Sequence, residues 1–171
     1  MGSANENTQA LLVFRSNGLD CAFPLEAVRE IVPMALLSSP PGTPSGLSGF
    51  LNLRGAVIPI LRLDRLFDLP EQQPGLYTPL IILRGLDMPI GILVGAVRQI
   101  VNASVASLLP LPEKHVFHDC ATATATVDGD VVHVLSPAAI LLENERRSLA
   151  DFQALEKQRL NHLGVEIETR P

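Results

Sequence analysis

Residues 49–69 read GFLNLRGAVIPILRLDRLFDL. Two apolar runs, Phe50 to Leu53 and Ala56 to Leu63, flank the pair Arg54-Gly55. The second run is rich in branched aliphatic residues, which suit the pleated surface of a strand. Glycine accepts positive φ without steric cost, so Arg-Gly between two such runs predicts a tight hairpin turn. Pro59 has no N–H to give to a ladder, which places this strand at an edge or gives it a bulge there. Asp64 is suited to cap a short helical turn over Arg65–Phe67. The stretch therefore reads as a hairpin followed by one turn of helix, with Asn52 and Arg54 as polar residues among apolar ones.

Working towards the N-terminus, Pro40 to Ser48 is a Pro/Gly/Ser loop. Gln9–Arg15 and Asp20–Phe23 read as a hairpin around Ser16-Asn17-Gly18. Pro24 then opens a short helix, on which Leu25, Val28, Ile31 and Val32 recur at helical spacing until Pro33 stops it. Met34 to Leu37 reads as a further strand. Towards the C-terminus, residues 70–79 form a turn-rich linker and the candidate junction between two lobes. Leu80–Leu83 and Met88–Val97 form a second hairpin. Its LRGLDMPIGIL echoes LRGAVIPIL at residues 53–61, either as a weak internal repeat or as two hairpins with similar needs. Cys120–Val127 and Val131–Leu135 flank the turn pair Asp128-Gly129. Pro137 opens a short helix through Leu142. Ser148-x-x-Asp151 has the layout of a capping box, and a second helix follows to Leu163, with Gly164 suited to its C-terminal cap.

Composition bounds what such a chain does. Among 171 residues, 47% are hydrophobic and 18% charged, Trp is absent, and Pro and Gly number fourteen and twelve. That describes a well-buried body of short elements whose core is aliphatic. A net charge of −5 argues against nucleic acid, whose phosphates require a basic face. No apolar run reaches membrane-spanning length, and the N-terminus lacks a signal-peptide layout. Cys21 and Cys120, far apart in sequence, read as small buried hydrophobes in a reducing compartment.

The stretch GFLNLRGAVIPILRL resembles the central motif of the CheW family, the chemotaxis adaptor proteins. That motif has a Gly, a short apolar pair, Asn-Leu-Arg-Gly, then an apolar strand ending in Pro-Ile or Pro-Val. AFPLEAVREIV at residues 22–32 is similar to the family's strand, short helix and Val-x-Glu-Ile pattern. PPGTPSGLSG at residues 40–49 loosely matches the proline-bearing loop before the motif, and IGILVGAVRQI at residues 90–100 resembles its second-lobe strand. The order holds from Leu11 to Leu142 without a large insertion. The sequence departs from the family twice, with Gly95 at an Asp position and Ser136 near a frequent acidic one.

The resemblance implies a mainly β fold of two small five-stranded SH3-like β-barrel lobes, with short helices and a C-terminal helix. It implies a CheW-like domain over residues 9–145, with residues 146–171 as a helical extension. It also implies a non-enzymatic, cytoplasmic scaffold at membrane receptor arrays, coupling the chemoreceptor tip to the regulatory domain of a CheA-type histidine kinase. A CheW-like adaptor of a non-motility pathway, such as surface sensing or pilus control, is the alternative; an unrelated barrel enzyme or ligand-binding protein is the third reading.

Partner-binding candidates are Val28, Glu30, Ile31, Gly49, Asn52 and Arg54. Val28 and Ile31 read as core, or, as the resemblance implies, as anchors of an apolar groove between the lobes that receives the receptor's helical hairpin tip, with Glu30 as a rim charge. Arg54 reads either as a solvent-facing turn residue or as a specific polar contact, bracing the lobe interface or binding a partner, and the resemblance points to the second. No catalytic, cofactor or metal site is expected. His115, His118 and Cys120 cluster in sequence, but the second ligand pair of a structural zinc site is missing. SGLSG at residues 45–49 lacks the strand-to-helix elbow of a hydrolase. In the tail, Leu149, Phe152, Leu160 and Leu163 share one helical face. That face must be covered, either by the chain's own body or by a second protein, which is another copy or the kinase.

Overall fold

The computed structural model describes residues 7–84, 88–111, 117 and 120–168. Among the described residues, ten strands and two α-helices follow in order: β1 (Thr8–Ser16), β2 (Leu19–Pro24), β3 (Val28–Pro33), β4 (Leu47–Leu53), β5 (Ala56–Arg62), α1 (Leu63–Leu66), β6 (Pro79–Leu83), β7 (Ile90–Leu93), β8 (Ala96–Ser104), β9 (Ala121–Val127), β10 (Asp130–Leu135) and α2 (Pro137–Glu168).

The strands form two five-stranded sheets, ordered β8-β1-β2-β10-β9 and β3-β6-β7-β5-β4. Each contains one parallel pair, β2 with β10 and β5 with β7, among antiparallel ones. The two orders are the same pattern, with β8, β9, β10, β1 and β2 standing where β3, β4, β5, β6 and β7 stand. In both, the segment after the first edge strand bridges to the opposite edge: Ser38 pairs with Phe50, and Leu109 with Thr124. These bridges close each sheet on itself. The echo between residues 53–61 and 83–93 does not follow this repeat, because it matches β4–β5 to β6–β7 whereas topology matches β4–β5 to β9–β10.

The chain enters the second lobe after β2 and returns after β7. Residues 70–79 therefore do not join the lobes, since β5 before them and β6 after them stand in the same sheet. The return crossing is at Gly95, whose N–H donates to the Arg15 carbonyl at 2.8 Å. A Cβ at Gly95 would lie 2.9 Å from that oxygen and 2.9 Å from the Gln72 amide nitrogen. An aspartate has no room here, which accounts for the first departure from the family pattern.

Strands β1, β2, β6 and β7 are buried on both faces, so they read as continuous apolar runs rather than alternating ones. Along β1, Leu11 and Val13 enter the interior of the first lobe, while Leu12 and Phe14 face the other way. Along β6, Leu80 and Ile82 fill the second lobe, while Ile81 and Leu83 face out of it. The outward sets meet in a shared interlobe cluster, where Phe14 stacks on Phe23 at 4.9 Å. Cys21 and Cys120 are buried in that cluster. Burial, helped by the Asp20 charge, pushes the Cys21 thiol up to about 12. Cys21 is therefore expected to resist thiol-reactive labelling at pH 8 in the native protein and to label on unfolding, read by mass spectrometry. Rapid native labelling would contradict this burial.

The helix expected over Pro24–Val32 is one 3-10 turn, Leu25–Ala27, followed by β3. Val28, Ile31 and Val32 are β-branched and pair with β6, and tertiary pairing overrides the helical spacing. Residues 34–37 form no strand; only Ser38 bridges. Pro59 lies one residue ahead of the stretch of β5 paired with β7, Ile60–Arg62, so its missing N–H interrupts nothing. The two helices expected after Ser136 are one helix, and the expected boundary at residue 145/146 falls inside it. Ser136 Oγ accepts from the Ala139 N–H at 3.2 Å, the bond an N-cap makes, which accounts for the second departure. Ser148 caps nothing: its hydroxyl donates to the Asn144 carbonyl at 2.9 Å. The Asp151 carboxylate instead accepts from the amide and hydroxyl of Ser45, at 2.9 and 2.8 Å, pinning the loop before β4 to the helix.

Candidate functional site

Three hairpins turn on two residues that both have positive φ: Asn17-Gly18 (53° and 76°), Arg54-Gly55 (50° and 86°) and Asp128-Gly129 (51° and 83°). These are the turns whose twist matches that of the flanking strands. Asn and Asp tolerate the left-handed region because their short polar side chains bond locally, and the fourth such residue, Asp68, is of this kind. Arginine has no such compensation, and the conformation costs it about 1–2 kcal/mol.

The Arg54 guanidinium reaches Glu30, with Nη2 2.5 Å from Oε1. Glu30 lies on β3, at one edge of the second sheet, and Arg54 at the tip of the β4–β5 hairpin, at the other edge. The pair therefore spans the gap between the two edges. The Arg54 side chain is 67% exposed, against 25% for Glu30. An exposed ion pair contributes roughly 0.2–1 kcal/mol. That does not exceed the conformational cost, so folding stability alone does not explain an arginine at this turn. Asn52 serves the turn itself, its Oδ1 accepting from the Gly55 N–H at 3.0 Å.

Val28 stands opposite Leu83 and Ile31 opposite Ile81, with a register shift between Val28 and Glu30. Cross-strand partners share a face, so the shift sets Val28 and Ile31, three residues apart, on the face that carries the interlobe cluster. Val28 is half-buried against that cluster, and Ile31 is 44% exposed. Glu30, paired with Ile82, lies on the other face. Gly49 is set apart from this group. It is buried, with φ of 149°, and a Cβ there would meet the Ser38 carbonyl at 2.8 Å. Its part is to let Ser38 bridge to Phe50, and it offers no surface to a partner.

A second polar group, absent from the residues singled out above as a site, lies at the far end of β5. Arg62 and Asp64 are 5% and 4% exposed and joined twice, Nε to Oδ1 at 3.0 Å and Nη2 to Oδ2 at 2.7 Å. Arg62 also donates to the Gln72 carbonyl, and the Asp64 carboxylate accepts the N–H groups of Gln72 and Arg65, both at 3.0 Å. Burial pushes the Asp64 carboxyl up. The Arg62 hydrogen bonds, the Gln72 amide, the Arg62 charge and the Arg65 amide outweigh it, and the net position is below the usual carboxylate range. Asp64 sits inside α1 and holds Arg62 rather than capping the helix. The outlying signal was Arg-x-Asp at the close of an apolar strand.

His115 and His118 lie outside the described residues. Among the described residues, no three His, Cys, Asp or Glu side chains come together as a metal site would need, and no helix is long and apolar enough to cross a membrane.

The model of the CheW-like domain family matches residues 10–145. The chain belongs to the CheW-like domain family. Its similarity to individual CheW proteins is moderate. It is 29% identical to a probable chemotaxis protein CheW of Rhizobium etli over 65% of this chain and 72% of that one. It is 27% identical to protein FrzA of Myxococcus xanthus over 83% of this chain and 91% of that one. The scaffolding protein TtCheW of Thermoanaerobacter tengcongensis shares the fold, with a TM-score of 0.72 over 80% of this chain and 90% of that one, at 21% identity. That comparison agrees with a CheW-like architecture of two five-stranded lobes and a C-terminal helix.

Proposed function

We propose that this CheW-like chain is a non-enzymatic, cytoplasmic adaptor that couples chemoreceptors to a CheA-type histidine kinase. The observation that carries the site is Arg54: an arginine in a conformation that disfavours it, anchored by Glu30, with most of its side chain in solvent. Such a group is aimed outward and held at a fixed angle. Its planar fork of donors suits acceptors on a partner. Val28 and Ile31, on the interlobe face, supply apolar contact for the receptor's helical tip. Joining two modest contacts on one body raises the effective concentration of receptor and kinase for each other. The FrzA match covers more of both chains than the Rhizobium match does. The alternative to this reading is a CheW-like adaptor whose output is a non-motility pathway such as surface sensing or pilus control.

Three variants test the role of Arg54 in co-sedimentation with receptor-bearing membranes and the kinase. Arg54→Ala and Arg54→Gly are each expected to reduce assembly about tenfold or more. Folding stability should stay within about 1 kcal/mol of wild type in both: Ala keeps the Cβ and its strain and loses only the exposed ion pair, whereas in Gly the relieved backbone offsets that loss. The exchange Glu30→Arg/Arg54→Glu restores the pair but moves the guanidinium off the turn. It is expected to fold and still fail to assemble. Normal assembly by the exchanged protein would reduce Arg54 to an internal brace.

A further inference from the structure

Two apolar features lie uncovered on one face of α2. Beside its first turns runs a groove of about 430 Å³, lined by Pro59, Met88 and Ile90 of the second lobe and by Leu141 and Leu142 of the helix. Further along, every described side chain from Phe152 to Leu163 is exposed, including Phe152, Leu160 and Leu163. At about 100° per residue, Leu142, Phe152, Leu160 and Leu163 fall within roughly 80° of one another. The helix is anchored on its other side, through Arg147 to Asp68 at 3.1 Å and through Asp151 to Ser45. Because α2 is one unbroken helix, its tail points away from the groove at its own base. The tail cannot fold back to fill it.

We propose that a second copy of this chain fills the groove, with the two α2 helices packed antiparallel about a two-fold axis at Phe152. This goes beyond the adaptor reading and does not depend on it. The residue numbers themselves are complementary about that axis. Phe152 meets the second copy's Phe152, Leu141 faces the second copy's Leu163, and Glu145 faces the second copy's Arg159. The contact on the axis occurs once and each of the other two occurs twice, as a two-fold interface requires. Glu145 borders the groove, so the opposite charge arrives where the apolar contact ends. The other flank brings Arg146 near the second copy's Lys157, an approach moderated by Glu143, which lies 3.9 Å from Arg146. The overlap from residue 141 to 163 spans about 34 Å of helix, and both uncovered features are buried by one contact.

Sedimentation of the full-length protein across a concentration series reads the proposal. A dimer is expected, and Leu163→Glu should yield a monomer with unchanged melting temperature, since this side chain is exposed and belongs to none of the buried clusters. Glu145→Arg and Arg159→Glu should each raise the dimer dissociation constant about tenfold, and the double exchange should return it to within about threefold of wild type. Phe152→Cys should cross-link as a disulfide dimer on oxidation, because the axis sets the two residues side by side. A monomer at all concentrations, a dimer indifferent to Leu163→Glu, or capture of the kinase's regulatory domain by this face in place of a second copy would each overturn the proposal.

Discussion

Replacing Asp64 with Asn is expected to destabilise the protein by about 3–5 kcal/mol, because it leaves the Arg62 charge buried and uncompensated. Arg62 is 5% exposed and its guanidinium is held by Asp64 and the Gln72 carbonyl. Glu71 approaches only at 3.8 Å, from the exposed side. At this chain length each kcal/mol moves the melting temperature by roughly 2–4 °C, so a fall of roughly 6–20 °C is expected by calorimetry. Removing both charges together, as Arg62→Met/Asp64→Leu, should recover much of the loss, since an apolar pair carries no desolvation cost. Glu71→Gln, at the exposed end of the network, should change stability by less than about 0.5 kcal/mol. The pH dependence has a definite sign. Asp64 ionises more readily folded than unfolded. Its contribution is complete above the unfolded pKa of about 3.9 and disappears as pH falls through the lower folded value. Wild type should therefore lose stability more steeply than Asp64→Asn below about pH 4. A loss under about 1 kcal/mol in Asp64→Asn at neutral pH would show that water, not Asp64, compensates Arg62.

The hairpins were legible in the sequence because their signals are local. Asn17-Gly18, Arg54-Gly55 and Asp128-Gly129 are all turns of one type, and each announces itself by a glycine between apolar runs. The site was half legible. Arg54 and Glu30 stood out as charges beside apolar residues, but their contact joins strands at opposite edges of a sheet, and nothing local encodes that distance. Val28 and Ile31 share a face, but not for the reason their spacing suggests. Their spacing suggests a helix, whereas a register shift in a strand gives them a common face. The Arg62–Asp64 pair was hidden for a related reason. A long polar side chain at a strand end usually reaches water, and only the fold turns this one inward. The continuity of α2 was masked by Ser148 and Asp151, whose capping pattern is satisfied by other partners. Gly95 and Ser136, which differ from the family pattern, have local physical reasons: the first for want of space, the second because serine caps a helix as well as aspartate does.

The topology makes a further demand on how the protein melts. The first lobe is built from both ends of the chain and the second from its middle. Among the described residues, the largest apolar cluster is the one between the lobes, not either interior. The lobes should therefore unfold together. Phe14→Ala tests this at the centre of the shared cluster, where Phe14 is fully buried against Phe23. Removing a buried phenylalanine costs about 3–5 kcal/mol, and a drop in melting temperature of roughly 6–20 °C is expected. The decisive reading is not the size of the drop but where it is felt. Amide exchange in the β4–β5 hairpin, which carries Arg54 and lies in the other lobe, should speed up by the same free energy as exchange in β1. Calorimetry should show one transition in both proteins. If the lobes were independent, the variant would melt in two steps and the Arg54 hairpin would keep its protection. That outcome would mean that the outward-aimed guanidinium owes its fixed position to its own barrel alone. One cooperative transition would mean instead that packing between the lobes supports the whole second sheet, which carries both the Arg54 turn and the Val28–Ile31 face.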